Sequence, residues 1–165
     1  MEQSRYFEKF VKKYTPRIFK MIYNMINDYD TTKDLTQDVF FKAWDNIDSF
    51  RGESSIYTWI YRIAINRVFE YRKNTARMKT IPIEEIEVVE IEEPEGILLM
   101  KKDMELLKDS IKELPLKYQS IITLRYFEDK DYATIARILQ IPIGTVRSRL
   151  NRGLSSLVNI VRGKL

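Results

Sequence analysis

Between residues 131 and 157 the apolar positions fall into two short helical registers joined by a tight turn. In the first, Ile135, Ile138 and Leu139 share a face, and Ala136 is small enough for a second helix to cross closely. Asp131 stands just before this register, where an N-cap carboxylate accepts from free backbone N–H groups. Gln140 and Ile141 then lead to Pro142, a residue that a helix start accepts and a helix interior does not. Beyond it, Val146, Leu150, Leu154 and Leu157 recur at spacings of four, four and three residues, which makes one buried stripe. Arg147, Ser148, Arg149, Asn151 and Arg152 fall largely off that stripe and are expected to point outward.

The same periodicity organises the chain upstream. Residues 4–27 carry Phe7, Phe10, Val11, Tyr14, Ile18, Met21, Ile22 and Met25 at helical spacing, with Pro16 predicting a kink or a break into two helices. Residues 30–50 predict a helix capped by Thr31 or Thr32, burying Leu35, Val39, Phe40 and Ala43. Its other face sets Asp34, Gln37, Asp38 and Phe41 together. Acids in a first turn favour the helix dipole, yet an exposed Phe beside them also suits a basic protein partner. Arg51, Gly52 and Glu53 read as a turn, with Ser54 or Ser55 capping a helix to about residue 73. Ile56, Ile60, Ile63 and Arg67 define its inward face. Tyr57, Trp59, Tyr61, Arg62, Asn66, Phe69 and Tyr71 are spread around the rest. Residues 97–112 predict a further helix, with Leu98, Met104, Leu107, Ile111 and Leu114 as apolar positions. Pro115 opens another over 117–127. The expected fold is all-α: two small helical domains, residues 1–79 and 97–165, the second a helix-turn-helix.

Charge sharpens that division. The net charge of +4 over 165 residues conceals blocks of opposite sign. Residues 1–79 hold 15 Lys plus Arg against 10 Asp plus Glu, and residues 97–165 hold 13 against 7. Residues 80–96 hold seven Glu and no basic residue, so this strip reads as a flexible, self-repelling acidic linker. Fully extended, it would span about 56–61 Å. No Cys or His occurs anywhere, which excludes disulfides, thiolate metal sites and every His-dependent mechanism. No Gly-rich phosphate loop, signal peptide or membrane-length apolar run appears, and neither a cofactor nor a catalytic residue is expected. The expected home is the cytoplasm, without membrane insertion.

A helix, a turn and a second helix with outward Arg, Ser and Asn suit the DNA major groove, where Arg and Asn each make two hydrogen bonds to one base. No Asp or Glu occurs from residue 132 to 165, whereas an ordinary solvated face mixes signs. The helix over 54–73 interleaves aromatics with Arg, a mixture on which single-stranded bases stack while guanidinium groups track phosphates. Trp59 and Tyr61 read equally well as core residues. Beside the transcription initiation factor that a family resemblance implies, two functions are compatible with these features: a free-standing helix-turn-helix regulator and a nucleic-acid enzyme with carboxylate-bound metal. The last is weakened because Asp34 and Asp38 are the only obvious acidic pair.

Four segments, in order, resemble the extracytoplasmic-function sigma factors of bacteria, and the resemblance covers nearly the whole chain. Asp34-Leu35-Thr36-Gln37-Asp38-Val39-Phe40 with Lys42-Ala43-Trp44 is similar to that family's polymerase-binding segment. Phe50-Arg51-Gly52-Glu53-Ser54-Ser55 with Thr58 to Ala64 and Asn66 is similar to its minus-ten recognition and melting segment. Leu114-Pro115, Leu124-Arg125 and Ile135-Ala136 resemble the start of its C-terminal domain. Pro142-Ile143-Gly144-Thr145-Val146-Arg147-Ser148-Arg149-Leu150 resembles its minus-thirty-five recognition helix. The resemblance implies that Asp34, Gln37, Asp38 and Phe41 dock on the clamp helices of the largest polymerase subunit, with the flap as a further contact. It implies that Ser49, Phe50, Arg51, Gly52, Glu53, Ser54 and Ser55 capture a flipped base, helped by Trp59, Arg62 and Asn66. It implies that Thr145, Arg147, Ser148, Arg149, Asn151 and Arg152 read or hold the upstream duplex element. The implied partners are core RNA polymerase, promoter DNA and an anti-sigma protein.

Asn151 and Gly153 depart from the bulkier or basic residues of many relatives, so a preferred upstream sequence does not transfer. The seven Glu of the linker fit either a nucleic-acid mimic in the positive channel of the polymerase or a plain soluble spacer. Replacing them with Gln separates the two: a mimic predicts altered abortive and full-length transcript yields, and a spacer predicts unchanged ones.

Overall fold

The computed structural model describes residues 2–79 and 101–165, so the acidic strip and the expected start of the following helix, including Leu98, lie outside the described residues. Among the described residues there are helices and turns and no strands. Helix α1 spans Glu2–Ile26, α2 Tyr29–Asp45 and α3 Ile56–Lys79. After the acidic strip come α4 (Lys101–Glu113), α5 (Leu116–Ile122, running on as a π-helical turn to Phe127), α6 (Tyr132–Leu139) and α7 (Ile143–Lys164). None of the described helices is long and apolar enough to cross a membrane.

The N-terminal half is a three-helix unit in which α1, α2 and α3 pack pairwise. Tyr14, Ile18, Met21, Ile22 and Met25 of α1 are buried against Leu35, Val39, Phe40 and Ala43 of α2, as the periodicity predicts. Helix α1 runs as one element through Pro16 instead of breaking there. Pro16 and Lys12, whose carbonyl loses its helical partner, both lie on the exposed side, where the carbonyl is open to solvent. The α1–α2 corner also differs from expectation. Asn27 takes a left-handed conformation (φ 52°) and its N–H donates to the Tyr23 carbonyl at 2.7 Å. Asp28, not Thr31 or Thr32, then caps α2, its carboxylate accepting from the Thr31 N–H at 2.8 Å. At the start of α3 the cap is Ser55, whose hydroxyl accepts from the Thr58 N–H at 3.1 Å.

The C-terminal half is built around α7, which contacts α4, α5 and α6. Val146, Leu150 and Leu157 are buried and Leu154 is half-buried, so the predicted stripe holds. Met104, expected among the apolar positions, is 37 % exposed, because Leu107 and Ile111 form the inward side of α4, with Leu114 buried just after it. Asp131 caps α6, accepting from the Thr134 N–H at 2.7 Å, and these hydrogen bonds hold its carboxyl below the usual range. Gln140 closes α6 in a left-handed conformation (φ 56°), and α7 starts directly after Pro142.

The halves are joined as well as tethered. Helix α3 packs on α6, and α1 packs on α4 and on the π-helical turn, so that one apolar cluster runs through both. Gly153 explains how α7 comes so close to α5: a Cβ added there would meet the Tyr118 Cβ at 3.0 Å and Ile122 Cδ1 at 3.2 Å. Its absence of a side chain is a packing requirement. Gly153→Leu is therefore expected to lower the unfolding free energy by about 1–3 kcal/mol, as overpacking does, with urea denaturation as the check. An unchanged midpoint would show that Tyr118 yields freely.

Candidate nucleic-acid interface

The segment between α2 and α3 is a 3₁₀ turn, Ile47–Ser49, followed by a loop that needs Gly52 at its apex, where φ is +72°. Below this loop lies a cleft of about 310 Å3 lined by Ser49, Phe50, Arg51, Glu53, Ser54, Trp59 and Arg62. Every lining residue belongs to the predicted minus-ten set. The Phe50 and Trp59 rings meet at 5.2 Å between centroids, tilted by 48°, and form its aromatic wall. Gly52 and Ser55 line a neighbouring cleft instead, and Asn66 stands exposed one turn further along α3.

Tyr61, grouped with the outward aromatics in the sequence, is fully buried. Its hydroxyl donates to Glu128 of the other half at 2.7 Å. Burial raises the Tyr61 pKa, and the Tyr57 hydroxyl and the Glu128 carboxylate push it further. Burial likewise raises Glu128, against the lowering effect of the Tyr61 hydrogen bond and of Lys130, Lys20 and Arg17. Beside this pair, Arg62 donates through Nη2 to the Arg137 carbonyl at 2.8 Å, in the last turn of α6. A helix C-terminus carries unpaired carbonyls and partial negative charge, so it attracts a guanidinium. The result is a second cleft of about 640 Å3 between the halves, with Glu53, Ser54 and Ser55 on one wall and Lys130, Asp131 and Arg137 on the other. One predicted DNA-contact residue, Arg62, is thus engaged by the helix-turn-helix itself.

On α2, Asp34, Gln37 and Phe41 are exposed, Phe41 to 61 %. Asp38 differs: Arg67 of α3 donates to its carboxylate at 2.6 Å and also bonds Glu70, which in turn accepts from Lys42 at 3.0 Å. This chain of charges ties α2 to α3 and explains why Arg67 faces inward. Trp44 extends the aromatic part of the patch, its ring edge-on to Phe7 at 4.8 Å.

The second candidate face lies on α7. Arg147, Ser148, Asn151 and Arg152 are exposed, whereas Thr145 and Arg149 are half-buried. Ser148 donates to the Thr145 carbonyl at 3.2 Å. Among the described residues no hydrogen bond or ion pair engages Arg147. Its guanidinium lies 5.8 Å from the Tyr132 ring centroid.

Comparison with known proteins matches both halves. Residues 10–78 match the family described as Sigma-70 region 2, and residues 104–157 match Sigma-70, region 4. The chain is 34 % identical over 163 residues to the RNA polymerase sigma-H factor of Pseudomonas aeruginosa, covering 93 % of this chain and 84 % of that protein. It is 32 % identical over 166 residues to the ECF RNA polymerase sigma-E factor of Escherichia coli, covering 94 % and 86 %. Its fold is similar to that of the sigma factor RpoE in complex with the anti-sigma factor NepR from Bartonella quintana. That match has a TM-score of 0.71 and 24 % identity, and covers 94 % of this chain and 96 % of that one. CnrH in complex with the cytosolic domain of CnrY shares the fold at a TM-score of 0.70 and 17 % identity, over 98 % of this chain and 91 % of that one.

Proposed function

The chain belongs to the extracytoplasmic-function sigma factors of the sigma-70 family, and we propose that it divides the work of transcription initiation among three surfaces. It is an RNA polymerase sigma factor. Asp34, Gln37 and Phe41, with Asp38 behind them, dock on the clamp helices of the largest subunit of core polymerase, and the flap is a further contact of the C-terminal half. The loop of residues 49–55, with Trp59, Arg62 and Asn66, captures and melts the minus-ten element. Thr145, Arg147, Ser148, Arg149, Asn151 and Arg152 engage the minus-thirty-five duplex. The protein itself catalyses no reaction, acts in the cytoplasm, and is held in check by an anti-sigma protein.

The observation that carries this reading is the cleft under the 49–55 loop. Its lining combines Phe50 and Trp59 for stacking with Arg51 and Arg62 for phosphate, at a size that admits one base. A free-standing regulator is not favoured, because the relatives match along both halves and not along the helix-turn-helix alone.

Simultaneous contact with both promoter elements requires the halves to part. Elements named for positions about 25 base pairs apart lie about 85 Å apart at roughly 3.4 Å per base pair. Tyr61 and Glu128 are in hydrogen-bond contact, and Arg62 is bound to the Arg137 carbonyl. The 21 residues from 80 to 100 reach about 69–76 Å when extended, and the helices supply the remainder.

Run-off transcription with core polymerase over a library of randomised promoters tests the assignment. Asp34→Arg and Phe41→Ala are expected to reduce specific transcripts on the order of ten-fold, a loss of about 1.4 kcal/mol in polymerase affinity. Asp34 is preferable to Asp38, whose reversal would also repel Arg67. Undiminished transcription by both variants would move the polymerase contact off α2. For the parting of the halves, the cysteine-free chain permits clean dye labelling of Lys12→Cys and Asn159→Cys, both exposed positions on α1 and α7. Energy transfer between the dyes is expected to fall when core polymerase and promoter DNA are added. Constant transfer would refute the opening.

A further inference from the structure

Tyr132 is the first residue of α6, half-buried against the C-terminal core. Two guanidinium groups lie within about 6 Å of its ring centroid: Arg125 at 5.7 Å and Arg147 at 5.8 Å. The two arginines are not equivalent. Arg125 is anchored on the protein side, donating to the Lys130 carbonyl at 3.3 Å and lying 3.8 Å from the Asp129 carboxylate. Arg147 is exposed near the N-terminal end of α7, the part of a recognition helix that reaches base edges. No hydrogen bond or ion pair among the described residues restrains it, and the Tyr132 ring lies beside its head group.

An arginine that reads a base with two hydrogen bonds must hold a planar fork in one orientation, and a long unrestrained side chain loses rotamer freedom when it does so. A ring that holds the guanidinium before DNA arrives removes part of that loss. An aliphatic residue of similar bulk would fill the same space without attracting a cation. We propose that Tyr132 is a positioning residue for Arg147, sharpening base discrimination by the recognition helix through ring–guanidinium contact and not by touching a base itself. This rests on the assignment of Arg147 to the upstream duplex.

The test uses the full chain with core polymerase, transcribing templates whose upstream element is randomised, with transcripts sequenced to give preference at each base position. Arg147→Ala should abolish preference at one or two adjacent positions. Tyr132→Leu should reduce discrimination at those same positions about 2–5-fold, the size of an exposed cation–π contact, and leave the other positions unchanged. Tyr132→Phe, which keeps the ring, should preserve the wild-type profile. In the Arg147→Ala background, Tyr132→Leu should add nothing at those positions. A purely structural role for Tyr132 would instead weaken all positions together, or add to Arg147→Ala, and either result would overturn the proposal. So would a Tyr132→Leu profile matching wild type while Arg147→Ala loses its positions. An Arg147→Ala profile identical to wild type would overturn the duplex assignment itself, and the proposal with it.

Discussion

The junction between the two described halves is centred on one buried amide. Gln119 on α5 is fully buried, donates through Nε2 to the Met25 carbonyl at 2.8 Å, and accepts at Oε1 from Arg72 at 3.2 Å. Met25 lies in the last turn of α1, where carbonyls have no partner within the helix. The C-terminal half therefore completes a helix end of the N-terminal half. Arg72 on α3 donates to the Lys112 carbonyl at 2.7 Å as well, and so does for α4 what Gln119 does for α1. Asn27, at the left-handed corner after α1, adds a bond to Asp109 at 3.2 Å. Two helix ends are thus closed across the junction, and a side-chain bond is added beside them. Apolar contact alone would tolerate sliding, but these directional bonds fix one register.

That register decides which functional surfaces are free. The α2 patch and the outer face of α7 point away from the junction, whereas Arg62 and the adjoining cleft face it. Burial lowers the Arg72 pKa and raises those of Tyr61 and Glu128, so the junction carries polar groups out of water that regain it on separation. Arg62 and Arg72 each keep a buried Nε without a hydrogen-bond partner among the described residues, so the junction is specific in geometry but of small net free energy. A contact of that kind is compatible with the proposed parting of the halves. A purely apolar junction of the same extent would be harder to open.

Local features were legible in the sequence because their causes are local. The stripe of Val146, Leu150 and Leu157, the caps at Ser55 and Asp131, and the turn before Pro142 follow from spacing and side-chain chemistry within one or two turns. The residues that line the cleft under the 49–55 loop could be grouped from the sequence, because a family-like motif keeps them close along the chain. What escaped depends on distant partners. Tyr61 and Glu128 are 67 residues apart, Asp38 and Arg67 are 29, and Gln119 and Met25 are 94. Nothing in its neighbourhood distinguishes Gln119 from a surface glutamine. Gly153 looked like a departure within a DNA-binding motif, and its reason, the Tyr118 Cβ, lies on another helix.

The absence of acids after Asp131 acquires a structural meaning once the helices are in place. Arg147 and Arg152 are exposed and Arg149 half-buried on one helix, and no carboxylate on α6 or α7 offsets their mutual repulsion. Carboxylates of this half form their ion pairs elsewhere: Glu113 with Lys164 at the far end of α7, at 2.6 Å, and Asp129 with Arg125 at 3.8 Å. A carboxylate among these arginines would stabilise the free protein, but it would compete with phosphate for the same donors and would have to be desolvated on binding. On the proposed assignment of this face to the upstream element, leaving it uncompensated assigns the missing negative charge to the duplex, where counterion release makes its neutralisation favourable. The π face of Tyr132 attracts Arg147 without neutralising it, and so orients the cation while leaving its charge and its donors available to DNA.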